Sequence, residues 1–129
     1  MKPVSKELII SGYSVVRDIQ KAFNSHYPFL KIEFSTNPKG VFSLKKHMVS
    51  PESSMSKITH LPTPIQLNVA EYRTVAEVEK DCTEFLGLSM QVFRKSGNVW
   101  NVISLTDSWT LESQNNAGEF ISTEMAAAS

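Results

Sequence analysis

The sequence predicts an α+β fold, in which two strand-helix-hairpin units share one mainly antiparallel sheet with helices on one face, followed by a short C-terminal helix. The first supporting observation is an apolar pattern that occurs twice, at a constant offset of 59 residues. The repeated positions are Leu8, Ile10, Tyr13, Val16, Ile19 and Lys21 in the first copy and Leu67, Val69, Tyr72, Val75, Val78 and Lys80 in the second. The second observation is that each copy leads into alternating apolar and polar residues followed by a turn, as hairpin strands do.

The chain is expected to form one domain over residues 1–122, because 129 residues lie within the usual size of a single domain. The two units are predicted at about residues 5–46 and 65–105, and residues 47–64 join them. This joining segment is rich in Ser and poor in aromatic residues, so its composition predicts a mobile loop.

The first unit begins with residues 8–10, an apolar run typical of a short buried strand. Apolar side chains then recur every three to four positions over residues 15–27, which is the stripe of an amphipathic helix. Residues 30–35 alternate between apolar and polar side chains, as a strand with one buried face does. The turn sequence Asn-Pro-Lys-Gly at 37–40 predicts a hairpin whose returning strand is residues 41–44.

The second unit repeats this order, and the start and end of its helix are well marked. Thr74 and Glu77 have the spacing of a capping box, and Gly87 stands where a helix ends in a left-handed cap. The apolar stripe of this helix is Val75, Val78, Cys82 and Phe85. A second hairpin is expected around Gly97, because a Gly in a short loop between two β-rich runs favours a tight turn.

The tail is predicted to add a short helix at about residues 107–120, anchored by Trp109, Leu111 and Phe120. The Asn-Asn-Ala-Gly sequence at 115–118 is poor helix material and favours an early end. Residues 123–129 are expected to be a disordered tail.

Net charge is zero, yet the charges are unevenly placed along the chain. Residues 1–64 carry nine Lys or Arg against four Asp or Glu, whereas residues 65–129 carry four against nine. This asymmetry favours either attraction between the halves of one fold or association between copies. No apolar run approaches the roughly 20 residues of a membrane-spanning helix. With one cysteine and no secretory signal pattern, the chain is expected in the cytoplasm, without a membrane partner.

No motif for catalysis, metal binding or cofactor binding occurs, so no catalytic residue, metal or cofactor is predicted. Cys82 lies on an apolar helix stripe, which favours a core role. The histidines, His26, His47 and His60, lack the short spacings of zinc ligands. The acidic residues Glu77, Glu79, Asp81 and Glu84 are expected on the solvent side of the second helix.

Basic and aromatic residues of the two hairpins and the tail are the best candidates for an interaction site. They are Lys39, Phe42, Lys45 and Lys46 in the first hairpin, Arg94, Lys95 and Trp100 in the second, and Trp109 in the tail. Three interpretations remain open for the lysines: protection of sheet edges, contact with a protein partner, and phosphate contacts combined with base stacking.

Two stretches near the C-terminus resemble a known group of proteins. The sequences VFRKSGNVW at 92–100 and TDSWTLESQN at 106–115 are similar to the end of a group of small uncharacterised bacterial proteins, over roughly residues 65–117. The resemblance implies a bacterial protein and no particular activity.

Taken together, these features predict a non-enzymatic cytosolic protein-interaction or structural module, with self-association through sheet edges as one form of it. The alternative is a nucleic-acid-binding module that uses a basic hairpin face.

Overall fold

The computed structural model describes residues 6–36 and 47–128, and the described residues form an α+β fold. The elements are β1 (Glu7–Ile10), α1 (Val16–His26), β2 (Leu30–Ser35), a 3-10 turn (Met55–Lys57), β3 (Ile65–Asn68), α2 (Val75–Leu86), β4 (Ser89–Ser96), β5 (Val99–Val102) and α3 (Leu111–Ala128). The predicted fold class, the antiparallel pairing and the C-terminal helix are confirmed. The returning strand predicted at 41–44 lies outside the described residues.

The described strands form two antiparallel sheets where one was expected. One sheet pairs β1 with β3, and Leu8 lies opposite Leu67. The other has the order β2-β4-β5, with Ile32 opposite Val92 and Lys95 opposite Trp100. The helix of each unit separates strands of different sheets, since α1 lies between β1 and β2 in the chain and α2 lies between β3 and β4.

The core lies between the three-stranded sheet and the helices. Helix α1 packs against β2, and α2 and α3 pack against β4. The sheet contributes Leu30, Ile32 and Phe34 from β2 and Met90 and Val92 from β4, all buried. Alternate residues of these strands therefore point away from the helices, towards the other face of the sheet.

Helix α2 begins and ends where the sequence predicts. The Thr74 side chain accepts a hydrogen bond from the Glu77 backbone N–H (3.1 Å), and the Glu77 carboxylate accepts one from the Thr74 N–H (2.9 Å). Gly87 has a positive φ of 70° at the C-terminal cap, where a side chain would be strained. These local bonds explain why the sequence specifies this helix well.

The placement of two α2 residues was predicted wrongly, whereas that of Cys82 is confirmed. Glu79 is buried, because its carboxylate accepts a hydrogen bond from the Val92 backbone N–H of β4 (3.1 Å). Phe85 is 50% exposed although it was expected inside. Cys82 is buried, and burial raises the pKa of its thiol to about 12, so it remains a protonated core residue at neutral pH.

The capping box makes the stability of the protein dependent on pH. Hydrogen bonds from the Thr74 backbone and side chain hold the pKa of Glu77 below its usual value of 4.5. The carboxylate therefore stabilises the folded state above about pH 4.5, and this contribution disappears as the pH falls through the folded-state pKa. In urea titrations, we expect the wild type to exceed Glu77→Gln in free energy of unfolding at pH 7, with the difference shrinking at acidic pH. A difference that stays constant between pH 7 and pH 3 would contradict this role.

Residues 47–64, which were predicted to be a mobile loop, connect the two units without a strand or α-helix but contact the core at several points. Met55 is fully buried in the core, and its backbone N–H donates to Ser14 O (2.8 Å). The Val16 N–H at the start of α1 donates to Ser53 O (2.9 Å). Met55, the partly buried Val49, Ile58 and Leu61, and the need of α1 for N-terminal acceptors thus hold a Ser-rich segment against the core.

Helix α3 runs from Leu111 to Ala128, well beyond the predicted end near 120, so the predicted disordered tail is helical through Ala128. The residues that favoured an early end have tertiary roles instead. The Asn115 side chain accepts a hydrogen bond from the Phe29 N–H (2.9 Å), and Gly118 lets the helix approach Phe29 closely. The alanines at the end are strong helix formers.

Candidate functional site

The face of the three-stranded sheet that points away from the helices is the most distinctive surface of the described residues. We call it the outer sheet face and define it by Lys31, Glu33, Gln91, Phe93, Lys95, Trp100 and Val102. Strand register places Lys31, Phe93 and Val102 in one row across the sheet, and Lys95 beside Trp100 in the next. Among residues 6–36 and 47–128, no helix makes a hydrogen bond, ion pair or ring contact with these side chains.

Lysine and aromatic side chains interleave on the outer sheet face. The Lys31 Nζ lies 5.1 Å from the centre of the Phe93 ring and 5.4 Å from that of Trp100. The Lys95 Nζ lies 5.9 Å from the Trp100 ring centre. These are cation–π distances, so the positive charges orient the rings and the rings shield the lysine stems. The result is a preordered apolar centre with positive charge beside it.

Two of the predicted candidate residues, Lys95 and Trp100, lie on the outer sheet face. Trp109 lies elsewhere, before α3, and is 44% exposed; its carbonyl accepts a hydrogen bond from the Val75 N–H at the start of α2 (3.2 Å). Four further candidates, Lys39, Phe42, Lys45 and Lys46, lie outside the described residues.

Arg94 was grouped with Lys95, yet it lies on the opposite face of the sheet. Successive strand residues point to opposite faces, so Arg94 points towards α3. Its Nη1 donates to Gln114 Oε1 (2.9 Å), and the buried Gln114 amide donates to Thr106 O and Oγ1 at 2.7 and 2.8 Å. This network fixes α3 and the segment before it onto the sheet, so the role of Arg94 is structural.

Sequence reasoning missed Lys31 and Val102 as members of the face. The alternation of residues 30–35 marked Lys31 as solvent-facing, but alternation does not say which strands are neighbours, and no pattern singled out Val102. Lys31 meets Phe93 only because β2 pairs with β4 in a register that joins residues far apart in sequence. Strand order was the missing information.

A charged cluster joins the start of the described chain to the start of α3. The Lys6 Nζ lies 2.8 Å from Glu71 Oε1 and 4.8 Å from the centre of the Tyr27 ring. The Lys6 hydrogen bond lowers the pKa of Glu71, whereas the Glu71 carboxylate raises the pKa of Glu112. The Tyr27 hydroxyl donates to the Val69 carbonyl, and burial raises its pKa. The cluster binds elements of both units together.

Residues 6–36 and 47–128 contain no group of His, Cys, Asp and Glu that could hold a metal ion. A depression of about 340 Å³ lies between Gly12 and Leu61, and one of about 260 Å³ lies beside β5, and neither is lined by an acidic residue, histidine or cysteine. No helix in this part of the chain is both long and apolar enough to cross a membrane.

Comparison with protein-family models, with curated proteins and with solved structures found no match. The resemblance of residues 65–117 to a bacterial group therefore stays a prediction.

Proposed function

We propose that this protein is a non-enzymatic interaction module that holds an acidic, partly apolar segment of a partner protein on its outer sheet face. The observation that carries the proposal is the interleaving of lysine and aromatic side chains on a face that no described helix covers.

The centre of the face has the chemistry of a protein-binding surface. Phe93, Trp100 and Val102 adjoin one another across β4 and β5, and Val102 is 52% exposed. Large aromatic side chains contribute most to binding when a partner removes them from water. The two rings are already oriented by lysine, which lowers the entropy cost of ordering them on binding.

The charge beside this centre selects the partner. Lys31 and Lys95 flank Trp100, and the acid of the face, Glu33, lies on the row beyond Lys31, opposite Gln91. Carboxylates of a partner can pair with the two ammonium groups while apolar side chains cover the rings. Complementary charge of this kind determines specificity and association rate more than affinity.

A nucleic-acid-binding module is the second candidate, because an open antiparallel sheet with exposed aromatic residues and lysines can stack bases and attract phosphates. Three observations favour the protein segment over nucleic acid as the ligand. The described part of the face has two cations, the ring faces already hold ammonium groups, and the net charge of the chain is zero.

Binding of a model peptide tests the proposal. The probe is a fluorescently labelled peptide of alternating Glu and Val, compared with a peptide in which Lys replaces Glu. We expect the acidic peptide to bind and the basic one not to bind. Lys31→Glu combined with Lys95→Glu should weaken binding at least about tenfold, because each carboxylate then faces a like charge.

Lys21→Glu with Lys80→Glu is the matched control, since both lysines are exposed on helices away from the outer sheet face. The control should leave affinity within about twofold. Equal affinity for the two peptides, or equal loss in both double variants, would overturn the proposal. If labelled oligothymidine bound instead, with affinity falling steeply as salt rises, the second candidate would replace it.

The apparent duplication supports a proposal about origin, namely that the two units are diverged copies of one unit. All six repeated pairs agree in burial: the positions of Leu8, Ile10, Val16 and Ile19 are buried in both copies, and those of Tyr13 and Lys21 are exposed in both. Leu8 and Leu67 also lie directly opposite each other between β1 and β3, as equivalent residues do beside a local two-fold axis. A bacterial source and a cytoplasmic location remain predictions from the sequence.

A further inference from the structure

We propose that β5 pairs with β5 of a second copy of this chain, antiparallel and about a two-fold axis at Asn101. This inference is independent of the proposed function, because it concerns the edge of the sheet, whereas peptide binding concerns the face.

Strand β5 is the end of the three-stranded sheet, and it offers unused backbone groups. The sheet order is β2-β4-β5, and no strand among the described residues pairs with the other side of β5. The Ile103 N–H donates to Val92 O (3.1 Å), so Ile103 and Val92 form a hydrogen-bonded pair between the two chain segments. Because bonded and non-bonded pairs alternate, the backbone N–H and C=O groups of Trp100 and Val102 point away from β4.

The residues of β5 carry neither of the usual sequence features that prevent strand pairing, charge and proline. Natural edge strands carry lysine, proline, bulges or covering segments. The sequence of β5 is Val99-Trp100-Asn101-Val102, without a charge or a proline, and its two valines are 57% and 52% exposed. An exposed strand of this composition is well suited to accept another strand.

The edge is also complementary to itself, and this identifies a second copy as its occupant. With the axis at Asn101, Trp100 lies opposite Val102 of the second copy on the outer sheet face, in both symmetry-related pairs. Each pair exchanges two backbone bonds, for about four in total. Asn101 lies opposite Asn101 of the second copy, so no like charges meet. Pairs of aromatic and β-branched residues are among the favourable cross-strand pairs.

The lysines of the outer sheet face do not oppose this pairing. Lys31 and Lys95 lie on β2 and β4, so at least three strand spacings of about 4.8 Å separate either of them from a lysine of the second copy across the axis. Such a separation exceeds the Debye length of about 8 Å at physiological salt. A two-fold contact uses the same surface on both copies and closes after two, so it gives a dimer and not a fibre. The dimer has a continuous six-stranded sheet with two outer sheet faces side by side.

Solution mass tests the proposal with the full chain. By sedimentation equilibrium, the wild type should rise with concentration from 14.4 kDa towards twice that mass. Val102→Pro removes an N–H that points away from β4, which an edge strand tolerates, and it should shift the protein to monomer. Val102→Thr keeps the N–H and the β-branched shape, so it is the matched control and should dimerise within about threefold of wild type.

Asn101→Asp gives a second, independent variant in case the proline disturbs the hairpin. It places two carboxylates opposite each other at the axis and should weaken the dimer at least about tenfold, less so at high salt. A wild type that stays at 14.4 kDa up to about 1 mM would overturn the proposal. So would dimers of undiminished affinity in Asn101→Asp. If the wild type proved to be a monomer and still bound the acidic peptide, the dimer would be overturned and the proposed function would stand.

Discussion

Replacing Phe23 with alanine should lower the free energy of unfolding by about 3–5 kcal/mol, the usual cost of removing a buried aromatic ring from a core. Phe23 lies on α1 with 0% exposure, and its ring centre is 5.5 Å from that of Tyr27. The substitution removes apolar contacts and leaves a cavity that the two sheets and α1 cannot fully close. Urea titration monitored by circular dichroism would measure the loss.

Phe85→Ala is the matched control, because it deletes the same ring from the other helix of the repeated units, α2. Phe85 is 50% exposed, so its replacement should cost less than about 1 kcal/mol. Similar losses in the two variants would mean that the core is not where the structure places it. From the sequence alone both rings were expected inside. The comparison of the two variants therefore also tests whether the structure places Phe85 correctly where its apolar pattern did not.

Replacing Gly118 with valine should lower the free energy of unfolding by about 1–3 kcal/mol through overpacking. A Cβ at this position would lie 2.9 Å from Phe29 Cβ and 3.2 Å from the Phe29 carbonyl oxygen. It would also lie 3.1 Å from Arg94 Cγ, and so would push α3 away from the sheet. The loss is expected although valine is a better helix former than glycine.

Asn116→Val is the control for helix propensity, because Asn116 is an exposed residue of the same helix. It should change the free energy of unfolding by less than about 0.5 kcal/mol. A Gly118→Val variant as stable as this control would show that α3 does not approach β4 and Phe29 closely. The effect at position 118 therefore reports directly on how α3 is docked.

Much of the fold could be predicted because its signals are local. The capping box of Thr74 and Glu77 and the cap at Gly87 are made by residues a few positions apart, and they set the ends of α2 wherever the helix lies. The alternation of Leu30, Ile32 and Phe34 likewise shows which face of β2 is buried. Such patterns arise between residues a few positions apart, so a short stretch of sequence is enough to predict the local structure.

The candidate site was predicted less well because it depends on which strands are neighbours. Lys95 and Trp100 were identified, since a tight turn at Gly97 brings them together. Lys31 was not, because its contact with Phe93 arises from a long-range pairing of β2 with β4. Arg94 was assigned to the same site as its neighbour Lys95, although the pleat of β4 directs it towards Gln114.

The sequence by itself determined the types and order of the helices and strands and their antiparallel character, because periodicity and capping are properties of residues close together in the chain. Only the tertiary structure decided that the strands divide between two sheets, that Glu79 is buried and that Phe85 is not. It also decided that Gly118, a poor helix former, lies within α3. At Gly118, contacts between distant parts of the chain outweighed a local helix preference of about 1 kcal/mol.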